Sequence, residues 1–330
     1  MAKRKYSKMK KIEPAVQTML FSTETIPGSS QANFTIDLSQ CASIINRRFY
    51  RQGINWAVAG IKVLTASGFA GSVIVSKLPN TWVMSNAWEK GFRAWQRMNN
   101  EALSESQSIK PKFYDFKVFA DTIHQQAGVG DNLLPQNLGA AGVNTAATGE
   151  WAMSKISIPD SDPADGTVAE FEIIATGDNT ASAKSLIDGY AASRALPNIA
   201  DPNTPDDALS YSENWLVGMF NEGTQQDVDT LENLAFDNDI APYPFENDGV
   251  NFDTMYPGGA NQLPGLQIHD YDFITGTTIG GMSRIKGGNF PCGLMRISAS
   301  NTGSTANLVL VIDLVPGTHR GYLCEPMTEM

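Results

Sequence analysis

Hydrophobic residues recur with a period of two over much of the chain. Phe34, Ile36 and Leu38 alternate with polar neighbours, and the same alternation covers residues 151–153 and 169–175. Successive side chains of a strand point to opposite faces, so this pattern predicts half-buried β-strands.

Five further runs carry Val, Ile, Leu and Phe at consecutive positions, with Gly, Asn, Ser or Pro at their ends. Such runs are typical of strands that are covered on both faces. They comprise residues 54–65, 72–76, 116–123, 294–299 and 306–315.

Helical periodicity is confined to three segments. Aromatic residues at a spacing near 3.6 predict a helix over 81–103, and shorter patterns cover 181–196 and 224–236. Residues 128–148 and 240–266 are rich in Gly, Asn, Pro and Ala and indicate long loops. Many strands with few helices predict an all-β fold, either an antiparallel β-sandwich or a jelly roll, with inserted helices and long loops.

Composition is consistent with a packed protein. The 330 residues are 42% hydrophobic and 9% aromatic, which is enough for a sizeable core. We expect neither a signal peptide nor a membrane span, because no apolar run follows the charged start or approaches roughly 18 residues. Cys41, Cys292 and Cys324 lack metal-type spacing, which favours buried thiols over a disulfide framework.

Charge is strongly segregated along the chain. The net charge is −11, yet six of the first eleven residues are basic, and the remainder carries 18 basic against 35 acidic side chains. A cationic arm on an acidic body indicates a polyanionic partner, while a solubilising or nuclear-import tail is the alternative. The arm residues are Lys3, Arg4, Lys5, Lys8, Lys10 and Lys11.

An acidic segment without basic residues lies in the second half of the chain. No Lys or Arg stands between Arg194 and Arg284, whereas fifteen carboxylates lie from Asp201 to Asp272. Nucleic acid and anionic membranes repel such a segment, so we expect acidic inserted loops or a projection over about 176–285. These loops face solvent, bind cations, or both.

Catalytic signatures are missing from the sequence. It contains no phosphate-binding glycine loop of the Walker type, and its three histidines, His124, His269 and His319, are isolated from one another. Ser283 follows Gly281 as in a nucleophile elbow, but Ile285 stands where the second glycine is required. We therefore expect a protein that is not an enzyme.

One acidic motif resembles a calcium loop. Asp160, Asp162 and Asp165 precede Gly166, although the third acid and the glycine come one position later than in a helix-loop-helix calcium site. We expect no cofactor, and the open alternative is Ca²⁺ held by these aspartates at subunit interfaces.

A second basic cluster carries two aromatic residues. Arg47, Arg48 and Arg51 surround Phe49 and Tyr50. Guanidinium groups pair with phosphate and aromatic rings stack on bases, which suits single-stranded nucleic acid. In the alternative interpretation, the two rings are core residues beside a salt-bridged surface.

Part of the chain resembles a known family. Ser-Lys-Leu-Pro-Asn-Thr-Trp at 76–82, Asn-Ala-Trp-Glu-Lys at 86–90, Phe-Arg-Ala-Trp at 92–95 and the stretch 112–118 resemble capsid proteins of small circular single-stranded DNA viruses known mainly from environmental sequences. The resemblance covers about residues 60–130. It implies a jelly roll, an icosahedral shell and a basic arm that contacts the genome.

The arm departs from the family pattern because it is short and dominated by lysine. In a shell of about sixty copies its charges would number roughly 360, against on the order of a thousand genome phosphates. The remaining phosphate charge would be neutralised by additional subunits, by small cations, or by Arg47, Arg48 and Arg51 facing inward.

Resemblance and charge together predict a coat protein with a basic arm at 1–11 and a shell domain at 12–330. Its expected partners are further copies of itself, a single-stranded DNA genome bound without sequence specificity and an unidentified host receptor, with no membrane. Its expected locations are the virion and, during assembly, the host nucleus or cytoplasm. The alternative is a carbohydrate-binding β-sandwich that uses exposed Trp and Asp or Asn side chains.

Overall fold

A computed structural model describes most of the chain. The described residues are 14–66, 68–104, 115–140, 142–159, 168–195, 215, 265–275 and 281–330. The basic arm, the predicted helix at 224–236 and the aspartates at 160, 162 and 165 lie outside them. All structural statements below concern the described residues.

Strands dominate the structure. In chain order they are β1 (Thr18–Ser22), β2 (Ser30–Asp37), β3 (Ile54–Thr65), β4 (Gly71–Lys77), β5 (Gln136–Gly139), β6 (Gly142–Thr145), β7 (Lys155–Pro159), β8 (Val168–Ile174), β9 (Ala183–Ser185), β10 (Gln267–Ile274), β11 (Met282–Phe290), β12 (Leu294–Asn301), β13 (Leu308–Leu314), β14 (Pro316–Gly317), β15 (Gly321–Tyr322) and β16 (Cys324–Pro326).

The described helices are few. They are α1 (Leu38–Asn46), α2 (Trp82–Ser104), α3 (Thr122–Ala127) and α4 (Leu186–Ala195). Short 3-10 turns cover Val129–Asp131, Pro291–Gly293 and Met327–Glu329.

Eight strands form a two-sheet sandwich. The first sheet has the order β1-β13-β3-β11, with β16 beside β3, and the second has the order β10-β4-β12-β2. Counted along the chain, the first of these eight strands pairs with the eighth, the second with the seventh, the third with the sixth and the fourth with the fifth. All these pairs are antiparallel. The all-β class is therefore confirmed, and the strand order agrees with that of a jelly roll.

Alternating side chains build the core between the sheets. In β13, Leu308, Leu310, Ile312 and Leu314 are buried while the residues between them are half-buried. One hydrophobic cluster contains inward residues of both sheets, from Met19 in β1 to Ala299 in β12. The run at 306–315 was predicted as a strand covered on both faces; the strand β13 is confirmed, but only its inward face is buried.

Residues 78–266 form an insertion between β4 and β10. Its described part has a second hydrophobic cluster, which also includes Leu294 and Met327 from the sandwich. Helices α2 and α4 pack closely because Gly91 faces the Leu186 side chain, where a Cβ at Gly91 would lie 2.3 Å from Cδ2 of the leucine. The insertion is therefore packed onto the sandwich rather than tethered to it.

Several predicted elements are confirmed. The 54–65 run is β3, the 72–76 run lies in β4, and the 81–103 helix is α2 with bounds shifted by one residue. Cys41 and Cys292 are buried free thiols, and Cys324 is a half-buried one.

Other predictions were wrong. Residues 116–123 make only an isolated bridge from Phe119 to Ile174, because their backbone bonds partly with side chains instead of a neighbouring strand. Residues 151–154 form no strand. Leu38 begins α1 rather than continuing a strand, since Asp37 caps the helix there. The loop at 128–148 contains the hairpin β5–β6.

The predicted acidic insertion at about 176–285 overlaps the sandwich. Strand β10 and the start of β11 lie within that range. Strand β10 was not predicted because Asp270 and Asp272 interrupt its apolar pattern. Both aspartates lie at the sheet edge beside β11, where they accept hydrogen bonds from Lys286 N and Ser283 Oγ. Acidic residues at an edge strand break the hydrophobic alternation without preventing pairing.

Candidate nucleic-acid interface

The arginine-rich loop at residues 47–51 follows α1 at one end of the sandwich. Asp37 accepts hydrogen bonds from the backbone N–H groups of Ser39 and Gln40 and so fixes the start of α1. The helix ends at Arg47, which has the left-handed φ of 53°. A left-handed residue reverses the chain direction after a helix, and the loop leaves α1 here.

Tyr50 anchors this loop in the core. It is fully buried, its ring packs edge-on against Tyr322 at 5.5 Å, and its hydroxyl donates to the carbonyl oxygen of Arg320. Phe49 is exposed by contrast. The interpretation of both rings as base-stacking groups is therefore wrong for Tyr50, which is a core residue.

The structure brings the three predicted arginines to one surface. Arg47 and Arg51 are exposed and Arg48 is half-buried. A fourth arginine, Arg320, joins them from the far end of the chain and donates from Nη1 to the Phe49 carbonyl oxygen. We call the surface formed by Arg47, Arg48, Arg51 and Arg320 the arginine end.

Sequence reasoning missed Arg320. It stands alone in the sequence, in the turn between β14 and β15, and no neighbouring basic residue marks it. Only the return of the chain after β13 places it beside residues 47–51.

Arg47 and Arg51 differ from other described cations in their ion pairing. Among the described residues, neither Arg47 nor Arg51 forms an ion pair, whereas Arg93 pairs with Glu89 and Lys62 pairs with Asp313. An exposed cation without a carboxylate partner leaves its full charge for a ligand.

The N-terminal chain joins the sandwich at the same end. The Val16 N–H donates to Oδ1 of Asn46, the residue before Arg47, and the Val16 carbonyl oxygen accepts from the Tyr322 hydroxyl. Lys11 is five residues before Val16, so the connecting chain spans no more than roughly 18 Å. The first described residues of the chain therefore lie next to the arginine end.

Positive charge continues onto the outer face of the first sheet. Lys62 of β3 and Arg284 of β11 are register partners, and Lys286 lies two residues further along β11. On this face, Asp313 of β13 forms an ion pair with Lys62.

The predicted metal ligands Asp160, Asp162 and Asp165 and the six basic arm residues lie outside the described residues. Within the described ranges, no group of three or more His, Cys, Asp or Glu side chains could hold a metal ion. None of the described helices is both long and apolar enough to span a membrane.

The tryptophans of α2 belong to the core. Trp88 is 7% exposed and stacks on Phe92 with a centroid distance of 5.2 Å, while Trp82 and Trp95 are half-buried against the same cluster. This agrees with their helical spacing.

A buried polar network lies beneath the arginine end. Asp37 also accepts hydrogen bonds from Gln52 Nε2 and Trp151 Nε1. Burial raises the pKa of Asp37 to about 6, although its hydrogen bonds act to lower the pKa. His124 contacts Asn132, whose amide donates to Gln40 of α1. The network thus links α1 to the insertion.

His124 is held neutral in this network. Its Nδ1 accepts from Ala120 N, so Nε2 carries the proton and donates to the Asn132 side-chain oxygen. Burial lowers its pKa to about 4; the Asn132 hydrogen bond opposes this shift, and the nearby charges of Arg296 and Asp121 act in opposite directions.

We expect acid to destabilise the fold through His124. In the unfolded chain the histidine takes up a proton below about pH 6.5, whereas in the folded chain it stays neutral down to about pH 4. Acidification therefore favours the unfolded chain, and the stability that is present above pH 6.5 is lost. The difference amounts to about 3 kcal/mol at pH 4. Urea unfolding, compared at pH 7 and pH 4 for the wild type and His124→Gln, measures it.

The comparison isolates the histidine because Gln can accept from Ala120 N and donate to Asn132. Asp37, whose raised pKa acts in the opposite direction between pH 4 and 6, is present in both proteins. Equal losses of stability on acidification in the two proteins would contradict the prediction.

No family model matches the sequence, and the searches found no similar curated protein and no similar solved structure.

Proposed function

We propose that the chain is a non-enzymatic capsid subunit that assembles into a shell around a single-stranded DNA genome, with the arginine end and the basic arm facing the genome. The observation that carries the proposal is the position of Val16 beside Asn46. Because the arm precedes Val16 by a few residues, this contact supports an arm on the side of the sandwich that exposes Arg47 and Arg51.

The charge balance supports this orientation. Four arginines of the arginine end raise the basic groups on this side from six to ten per subunit. About sixty subunits would then offer roughly 600 positive charges against on the order of a thousand phosphates. The acidic 195–283 segment carries no Lys or Arg and is best placed away from the genome.

Exposed apolar residues support self-association. Leu138 and Val143 are cross-strand partners in the β5–β6 hairpin and are 84% and 61% exposed. On the edge strand β10, Ile268, Tyr271 and Phe273 are more than half exposed. Apolar groups gathered on a hairpin and on an edge strand are suited to contacts with further copies of the chain.

The carbohydrate-binding alternative gains little support. Sugar binding of the expected kind uses exposed indole rings, and all six tryptophans are buried or half-buried. The expected interface therefore consists of arginines instead of aromatic platforms.

We expect purified full-length protein to form uniform spherical particles that contain nucleic acid. Negative-stain microscopy and the ratio of absorbance at 260 and 280 nm measure both properties. In particles of the Arg47→Gln/Arg51→Gln variant, the loss of two phosphate-contacting charges should lower the nucleic-acid content and reduce the salt dependence of binding by about 1.4 in log–log slope.

The matched control is Arg93→Gln/Lys155→Gln, which removes the same charge from exposed positions on α2 and β7. It should retain wild-type nucleic-acid content. Deleting residues 1–11 should strip further nucleic acid while the fold persists. A small monodisperse species at every salt and protein concentration would overturn the capsid proposal.

A further inference from the structure

A pocket of about 430 Å³ opens at the arginine end. Its volume lies within the range of roughly 300–1,000 Å³ typical of small-ligand sites. Arg51 and Arg320 are exposed residues of its lining, and Trp88, Phe92 and Phe116 provide aromatic rings. No carboxylate contributes to the described lining.

The aromatic lining is built by helix α2 and the segment that follows it. Trp88 stacks on Phe92, and both rings contact Phe116, with centroid distances of 5.8 and 5.6 Å. Gly53 makes room for the indole: a Cβ there would lie 2.2 Å from the Trp88 ring. The ring positions are therefore fixed by packing.

One donor in this lining is unsatisfied. The indole Nε1 of Trp88 is buried and has no hydrogen-bond partner among the described residues. A buried N–H without an acceptor costs about 1–3 kcal/mol. The indole nitrogen is itself closed off from solvent, so Trp88 offers a ligand in the pocket only the accessible part of its ring.

We propose that this pocket receives one nucleotide of single-stranded nucleic acid. The base enters against the aromatic rings, and its phosphate pairs with Arg51 and Arg320. Aromatic contacts with bases and Arg contacts with phosphate together characterise sites for unpaired strands. The inference rests on the proposed function. It adds one ordered contact to the non-specific contacts proposed between the basic arm and the genome phosphates.

Duplex nucleic acid does not fit this site. A paired base has its hydrogen-bonding edge occupied and lies inside the stack, so it cannot enter an enclosed aromatic pocket without being extruded. The pocket therefore selects single strands, whereas the arm charges attract either form.

The test uses full-length protein, dissociated into subunits, and a fluorescent oligothymidine of about ten nucleotides, within the site sizes of roughly 4–16 known for single-strand binders. We expect Arg51→Gln to weaken binding about tenfold and Trp88→Phe, which reduces the ring area available for stacking, about fivefold, as measured by anisotropy. Arg93→Gln, the control on α2, should change the affinity less than twofold.

Cross-linking provides a readout that altered packing alone would not produce. With bromodeoxyuridine in the oligonucleotide, irradiation should attach it to peptides that contain Trp88, Phe92 or Phe116. Arg51→Gln lies at an exposed position, so this variant remains informative if Trp88→Phe unfolds.

Oligonucleotide binding that persists unchanged in Arg51→Gln, with cross-links confined to residues 1–11, would overturn the pocket and leave the capsid proposal intact. If the wild-type protein fails both to bind oligothymidine and to form particles, both proposals fall.

Discussion

Replacing Asp37 with alanine is expected to lower the free energy of unfolding by about 4 kcal/mol. The carboxylate accepts four hydrogen bonds, from Ser39 N, Gln40 N, Gln52 Nε2 and Trp151 Nε1. Alanine removes the N-terminal cap of α1 and leaves buried donors without acceptors. Urea unfolding of dissociated subunits, followed by tryptophan fluorescence, measures the loss.

The effect should extend beyond α1. Gln52 also donates to the Val118 carbonyl oxygen and accepts from the Val118 N–H, so Asp37 indirectly positions the segment of the insertion that contains Val118. Because α1 carries the arginine loop, the variant should also lose the proposed nucleic-acid binding in proportion to its unfolding.

Asp313→Ala is the matched control. Asp313 is a partly exposed carboxylate that pairs with Lys62 and accepts from Thr18. Exposed ion pairs contribute about 0–1 kcal/mol, so its removal should be nearly neutral. Equal destabilisation by the two alanine variants would refute the special role assigned to Asp37.

Separating Arg296 from Asp121 should cost about 3–5 kcal/mol. Arg296 of β12 is 5% exposed, and its two terminal nitrogens lie 2.5 Å from the two Asp121 carboxylate oxygens. Asp121→Asn leaves a buried guanidinium without a counter-charge, and the Arg296 Nε already lacks a described partner. Urea unfolding of dissociated subunits again provides the measurement.

A double-mutant cycle isolates this pair. Asp121 also accepts from His124 N at the start of α3, so part of a single-variant loss reflects capping. Arg296→Met/Asp121→Asn should be more stable than the sum of the single losses predicts, by about 2–3 kcal/mol. Strict additivity would show that the pair contributes nothing.

Arg93→Gln again serves for comparison. Arg93 and Glu89 form an exposed pair four residues apart on α2. Such helix pairs contribute about 0.3–0.5 kcal/mol. The contrast between the two pairs tests whether burial makes the Arg296–Asp121 contact decisive for docking the insertion on the sandwich.

Long apolar patterns in the sequence predicted the longest strand and the longest helix of the described residues. The β3 and α2 patterns run for 12 and 23 residues, and both were found at their predicted positions within one residue. Short or edge elements escaped prediction. In β11, Gly287 and Gly288 interrupt the apolar pattern because neighbouring atoms leave no room for side chains there.

The candidate site, too, was predicted only where its residues are close together in the sequence. The cluster of Arg47, Arg48 and Arg51 was visible because its members are adjacent in sequence. Arg320, about 270 residues later, and the pocket between Phe49 and α2 were not, since nothing local marks residues that meet only after the chain has folded.

The sequence by itself determined the β-rich class, the long helix α2 and the segregation of charge, because strand and helix periods and ionic composition are local properties. The tertiary structure decided the pairing of first with eighth strands, the meeting of Val16 with Asn46 and the burial of Tyr50 and Asp37. Those contacts follow from long-range packing, in which each strand selects partners by the shape and burial of the whole sandwich.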